Sequence, residues 1–246
     1  MQDKNKRIVN IFIAIFIIIL IIAIIALLIM KYEVEGEQNL PFELSKIIIV
    51  SSAQGENTTD SVEEMNFRID QNNDIYIYIN KNENLKEEKA IKSISISNFQ
   101  ILKNPQKGTP VVIRPSNVNG ILFKNSQEYE VTDELQYTGA LESNIENLEI
   151  GNQGGIIYLR HILKDLGTYV ANSDEQVIHD GALLKKIQIT DNQIKYSISF
   201  DLTLSIEKGK SYKANITLDL PSGDIIENGN SHLEITDLDN IVFKRI

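Results

Sequence analysis

Residues 194–220 read IKYSISFDLTLSIEKGKSYKANITLDL, and their alternation decides the fold. Ile194, Tyr196, Ile198, Phe200, Leu202, Leu204 and Ile206 share one parity, whereas Lys195, Ser197, Ser199, Asp201, Thr203 and Ser205 take the other. Successive side chains of a strand point to opposite faces, so this pattern predicts a strand with one face in a core and one in water. It holds its phase for 13 residues, beyond the usual strand of ~5–6. Tyr212, Ala214, Ile216, Leu218 and Leu220 repeat it, opposed by Lys213, Asn215, Thr217 and Asp219. Between them the five residues Glu207–Ser211, with Gly209 free to take positive φ, predict a hairpin loop.

The same period recurs upstream. Met65, Phe67 and Ile69 alternate, Asn72-Asn73-Asp74 reads as a turn, and Ile75, Ile77 and Ile79 return, with Tyr76 and Tyr78 on the other face. Within 92–103, Ile94 and Ile96 share one phase and Phe99 and Ile101 the other, which predicts a β-bulge at Ser97-Asn98. Further strands are expected at 43–51, 110–114, 128–131, 185–190, 232–236 and 240–244, punctuated by Lys107-Gly108, Asn119-Gly120, Ser222-Gly223 and Asn228-Gly229. Leu141, Ile145 and Leu148 have helical spacing, so a short helix is expected over 140–147. Residues 156–166 fit either period; bracketing by Gly154-Gly155 and Gly167 favours a strand. Many strands and few helical windows predict an antiparallel β-sandwich of jelly-roll or immunoglobulin-like type over 41–246. It is expected to be one compact unit, with Pro105, Pro110 and Pro115 marking a seam within 104–118.

Residues 8–30, IVNIFIAIFIIILIIAIIALLIM, carry no charge. At ~1.5 Å per residue such a run crosses a hydrocarbon core of ~30 Å, and membrane lipid is its expected partner. Lys4, Lys6 and Arg7 precede it, and Glu33, Glu35 and Glu37 follow Lys31. Positive charge stays on the cytoplasmic side, so residues 1–7 are expected in the cytoplasm and the domain outside, in a single-pass cell-membrane protein. A cleaved export signal has a shorter apolar region and a small-residue cleavage site; Leu27–Met30 offers none, so an uncleaved signal-anchor is favoured. Ala23 and Ala26 lack small-xxx-small spacing, which suits a lipid-facing helix. Residues 31–40, polar and acidic, are expected to form an extended stalk.

Residues 1–30 hold three of the 24 Lys and Arg and one of the 34 Asp and Glu, leaving 21 against 33 and a net charge of −12 outside. That sign argues against nucleic acid, which needs a basic patch, and serves solubility. Zero Cys excludes disulfides, thiolate metal sites and a cysteine nucleophile. Heavy use of Ile and Asn with no Trp is the bias of an AT-rich Gram-positive bacterium.

The chain carries no P-loop, G-x-S-x-G, HExxH or dinucleotide fingerprint. His161, His179 and His232 are scattered, and His179-Asp180-Gly181 reads as a turn rather than an acid–base pair. Asp70, Asn72 and Asp74 match the first ligands of a calcium loop, but Ile75 replaces the required Gly and Lys81 the final Glu. Calcium, at a sandwich end where loops cluster, is the one cofactor the sequence leaves open. Tyr76, Tyr78, Tyr158 and Tyr169 are the candidate aromatics of a sugar- or peptide-binding face, with Tyr129 and Tyr137 as further candidates. The expected function is a non-enzymatic, membrane-anchored envelope module binding a protein or cell-wall polymer. A glycan hydrolase with a carboxylate pair hidden in the sequence, or a subunit of a membrane complex, are the alternatives.

Overall fold

A computed structural model describes residues 2–59, 64–84, 90–114, 129–130, 134–139, 148–151, 154–172, 174–207 and 209–246. Helix α1 (Gln2–Glu35) precedes strands β1 (Phe42–Asn57), β2 (Glu64–Lys81), β3 (Ile91–Lys103), β4 (Thr109–Arg114), β5 (Tyr129–Glu130), β6 (Glu134–Gly139), β7 (Leu148–Ile150) and β8 (Gly154–Asn172). Short helices α2 (Ala182–Lys186) and α3 (Asp191–Ile194) lead into β9 (Tyr196–Ile206) and β10 (Lys210–Leu220), followed by α4 (Ile225–Asn228), β11 (Ser231–Ile235) and β12 (Lys244–Arg245). One sheet has the order β11-β1-β2-β8-β4-β5, the other β12-β10-β9-β3-β6-β7. All pairs are antiparallel except β6–β7. Apart from its N-terminal helix, the chain is an all-β domain.

The inner face of the second sheet is the one its alternation dictates. Tyr196, Ile198, Phe200, Leu202, Leu204 and Ile206 of β9 are buried, as are Tyr212, Ala214, Ile216, Leu218 and Leu220 of β10. They pack in one cluster with Ile47 and Ile49 of β1, Ile75 and Ile77 of β2, and Ile157 and Leu159 of β8. The β9–β10 loop is shorter than expected. Ile206 pairs with Lys210, leaving three residues, and Gly209 takes φ +78°. Ile194 also leaves the strand: Thr190 and Gln193 form a capping box that starts a helical turn, so β9 opens at Tyr196. The bulge in β3 is present, with the register shifting between Ser97 and Gln100 and Asn98 at φ +54°.

Three further expectations are corrected. No hairpin turns at Asn72–Asp74, because β2 is a single 18-residue strand. Residues 185–190 are not a strand: Leu183 and Leu184 of α2 are adjacent and both buried, an arrangement a helix permits and an alternating strand does not. The strand expected at 240–244 is confined to Lys244–Arg245. Residues 156–166 are strand, but β8 continues past Gly167 to Asn172. The helix expected at 140–147, Pro115, and residues 128 and 131 of the strand expected at 128–131 lie outside the described residues.

Asn73 explains how polar residues sit in the middle of β2. Its Oδ1 accepts from Ser51 Oγ (2.7 Å) and Gln71 Nε2 (2.8 Å). Its Nδ2 donates to Gln71 Oε1 (3.0 Å) and, across the sandwich, to Tyr196 Oη (2.9 Å). The Tyr196 hydroxyl lies 3.0 Å from His161 Nδ1, to which it can give its proton. A buried polar group is tolerated when its hydrogen bonds are made, and these join β1, β2 and β8 of one sheet to β9 of the other.

Within Asn10–Glu35, helix α1 holds an 18-residue stretch of mean hydropathy 3.7, none of it buried against the domain. It is long and apolar enough to span a membrane. The expected stalk is helical through Glu35, and the chain then docks on the C-terminal segment. Gly36 turns at φ +71°, where a Cβ would meet Phe243 O at 2.5 Å. Glu37 N donates to Phe243 O (2.8 Å), Arg245 N donates to Tyr32 Oη (2.8 Å), and Lys244 pairs with Glu33.

Two stability outcomes follow for the full chain in detergent. Phe200→Ala, opening a cavity at a fully buried site, is expected to cost about 3–5 kcal/mol in urea denaturation, against within about 0.5 kcal/mol for Thr203→Ala on the outer face. Burial lowers the His161 pKa from 6.5 to about 4. Above pH 6.5 the ring is neutral in both states and adds nothing. Between 6.5 and about 4 the unfolded chain takes up a proton that the folded ring refuses, so stability falls as pH falls, by up to about 3 kcal/mol. His161→Gln should remove this part of the pH slope; an unchanged slope would count against it.

Candidate functional site

Past the register shift at Ser45 in β1, along β2, and in β8 ahead of its bulge, even-numbered residues face away from the second sheet, and register assembles them into rows. Ile48 lies opposite Tyr76, which lies opposite Tyr158; Val50 lies opposite Asp74, which lies opposite Arg160; Ser52 lies opposite Asn72, which lies opposite Ile162. Three of the four candidate tyrosines therefore share one face. Tyr76 and Tyr158 have ring centroids 5.1 Å apart, and Lys46 Nζ stands 4.9 Å from the Tyr78 ring. Tyr158 is only 4% exposed, so its ring is part of the packing rather than an open platform. Its hydroxyl donates to Asp74 Oδ1 (2.6 Å), which Arg160 Nε also reaches (2.6 Å). Burial first, then the Asp74 charge, raises the phenol pKa, so Tyr158 stays protonated throughout the ordinary pH range. Burial and Asp74 likewise raise that of Tyr76.

Tyr169 is elsewhere. It has the opposite parity and faces inward opposite Phe67. Its hydroxyl donates to Glu175 Oε1 (2.5 Å), and Lys186 Nζ lies 4.5 Å from its ring. The Lys186 hydrogen bond, followed by that from Tyr169, lowers the Glu175 pKa.

Asp70, Asn72 and Asp74 lie on the extended strand β2 rather than in a loop. Asp70 holds the bulge of β8, where Lys164-Asp165-Leu166 face a single β2 residue: its Oδ1 accepts from Asp165 N (2.9 Å), and Asp165 has φ +60°. Asp74 is engaged by Arg160 and Tyr158. Asn72 is 9% exposed, and its Oδ1 is buried without a hydrogen-bond partner. Val50, Ser52, Gln54, Glu56, Asn72, Asp74 and His179 line an open groove of about 400 Å3 on this face. His179 is fixed there by accepting from Gly55 N at Nδ1 (3.3 Å) and by edge-on contact with Phe67. His161 is in the core, and His232 pairs with Val50 in the β1–β11 ladder. No group of three or more His, Cys, Asp or Glu among the described residues is arranged to hold a metal ion.

A second feature has no counterpart in the sequence expectations. β12 covers only Tyr212 and Lys213 of β10. Ser211 O accepts from Ile246 N (3.0 Å), which shows that odd-numbered residues of β10 turn their backbone groups away from β9. Asn215, Thr217 and Asp219 therefore present an unpaired ladder edge among the described residues. A groove of about 510 Å3 borders this edge, walled by Asn240–Val242 and reaching Glu33 of α1. No signal in residues 240–244 marks the edge, since only the pairing shows that the strand is confined to Lys244–Arg245.

Comparison with known proteins finds no matching family model, no matching curated protein and no matching solved structure.

The Tyr158–Asp74 bond is expected to couple the two residues by about 1 kcal/mol in a double-mutant cycle of Tyr158→Phe and Asp74→Asn. Additive single-variant stabilities would show that the hydroxyl and carboxylate act independently.

Proposed function

We propose that the protein is a membrane-anchored, extracytoplasmic binding module without catalytic activity of its own, which engages another envelope component. The observation that carries this reading is the open edge of β10 beside the membrane helix. Unpaired strand edges accept an extended segment by adding to the ladder, with backbone hydrogen bonds giving affinity and alternate side chains giving specificity. Seven residues, Ala214–Leu220, remain uncovered by β12. Charge favours the outward orientation: Lys4, Lys6 and Arg7 precede the apolar helix and acidic residues follow it.

Two outcomes test the proposal. In intact cells, Thr217→Cys, the sole thiol of a cysteine-free chain, should react with an impermeant maleimide; labelling only after lysis would overturn the orientation. Thr217→Pro removes an outward-facing N–H that makes no bond within the sheet. It should keep expression and thermal stability near those of the parent while losing envelope proteins that co-purify with the full chain. Retention of the same proteins would exclude the β10 edge as their site.

A further inference from the structure

We infer that the groove on the outer face of the first sheet binds an uncharged saccharide. This inference rests on the binding-module reading but uses a different surface from the β10 edge. The argument is one of matched chemistry. No Lys or Arg is among the residues lining the groove, so it offers no cation to a phosphate or a carboxylate. Its two carboxylates are already engaged, Glu56 by Arg68 and Asp74 by Arg160, so they are poorly placed to strip the hydration from a metal ion. What is left is a neutral set of donors and acceptors. Gln54 contributes an amide and Ser52 a hydroxyl that otherwise makes only a 3.4 Å contact to Gly229 O. His179 accepts at Nδ1 from Gly55 N, which places its proton on Nε2 as a donor. Asn72, whose amide oxygen is buried without a hydrogen-bond partner, lies among the lining residues.

A sugar hydroxyl both donates and accepts, so it suits mixed amide, hydroxyl and imidazole partners better than an ion does. The groove's volume of about 400 Å3 falls within the range of small-molecule sites, ~300–1,000 Å3. Val50 supplies an apolar floor, and Tyr76, next to Asp74 on β2, stands one row further along the sheet for the apolar face of a second ring.

The test is isothermal titration of the full chain in detergent with chitotetraose and cellotetraose as neutral probes, and with calcium chloride and inorganic phosphate as ionic ones. Saturable binding of a neutral tetrasaccharide is expected. Gln54→Ala and His179→Gln should each weaken it about five- to tenfold, the worth of one neutral hydrogen bond, with thermal stability unchanged in Gln54→Ala. Lys213→Ala, at the other groove, should leave it intact. Absence of binding to both tetrasaccharides, saturation by calcium or phosphate instead, or affinity untouched by Gln54→Ala and His179→Gln would each overturn the inference. The binding-module reading stands or falls separately, on whether Thr217→Pro releases co-purifying proteins.

Discussion

The side-chain amide of Asn73 holds the two sheets in register. It lies at the midpoint of β2 with no solvent exposure, where an unpaired amide would cost several kcal/mol. That cost is removed only if Ser51, Gln71 and Tyr196 are all in place. Hydrophobic burial is non-directional and would tolerate a two-residue slip of β2, which keeps its isoleucines inward, whereas such a slip would carry Asn73 away from Ser51 and from the Tyr196 hydroxyl to which it donates. The polar cluster therefore selects one alignment from the many that the surrounding isoleucines allow.

Much of this fold was legible in the sequence. The alternation of 196–206 and 212–220 survives intact because both strands face a dry core on one side and water on the other. The bulge in β3 was readable because the phase change from Ile96 to Phe99 has no other explanation in a strand. Misreadings arose where local chemistry and tertiary context disagree. Asn72-Asn73-Asp74 has turn composition, yet the side chains of Asn73 and Asp74 find partners on β1, β8 and β9, and the strand continues. Ile187 and Ile189 alternate over too few residues to outweigh the buried Leu183–Leu184 pair.

The candidate surfaces were less legible. Parity alone groups Tyr76, Tyr78 and Tyr158 and sets Tyr169 apart, but which side is covered depends on pairings formed between residues about 80 apart in the chain. Asp70 and Asp74 looked like ligands because carboxylates at alternate positions are common to both metal loops and strand faces. Only the bulge at Asp165 and the arrival of Arg160 reveal what they do. The open edge of β10 could not be read from its own residues, because it is defined by the shortness of a strand about 30 residues downstream.

The docking of α1 on residues 243–245 has a mechanical consequence. A pull on β10 would pass through its ladder with β12 to Arg245 and Lys244, and from there through Tyr32 and Glu33 into helix α1. That load path skirts the sandwich interior. Tension between helix α1 and this edge would be borne in part by these peripheral contacts before it reached the packed isoleucines.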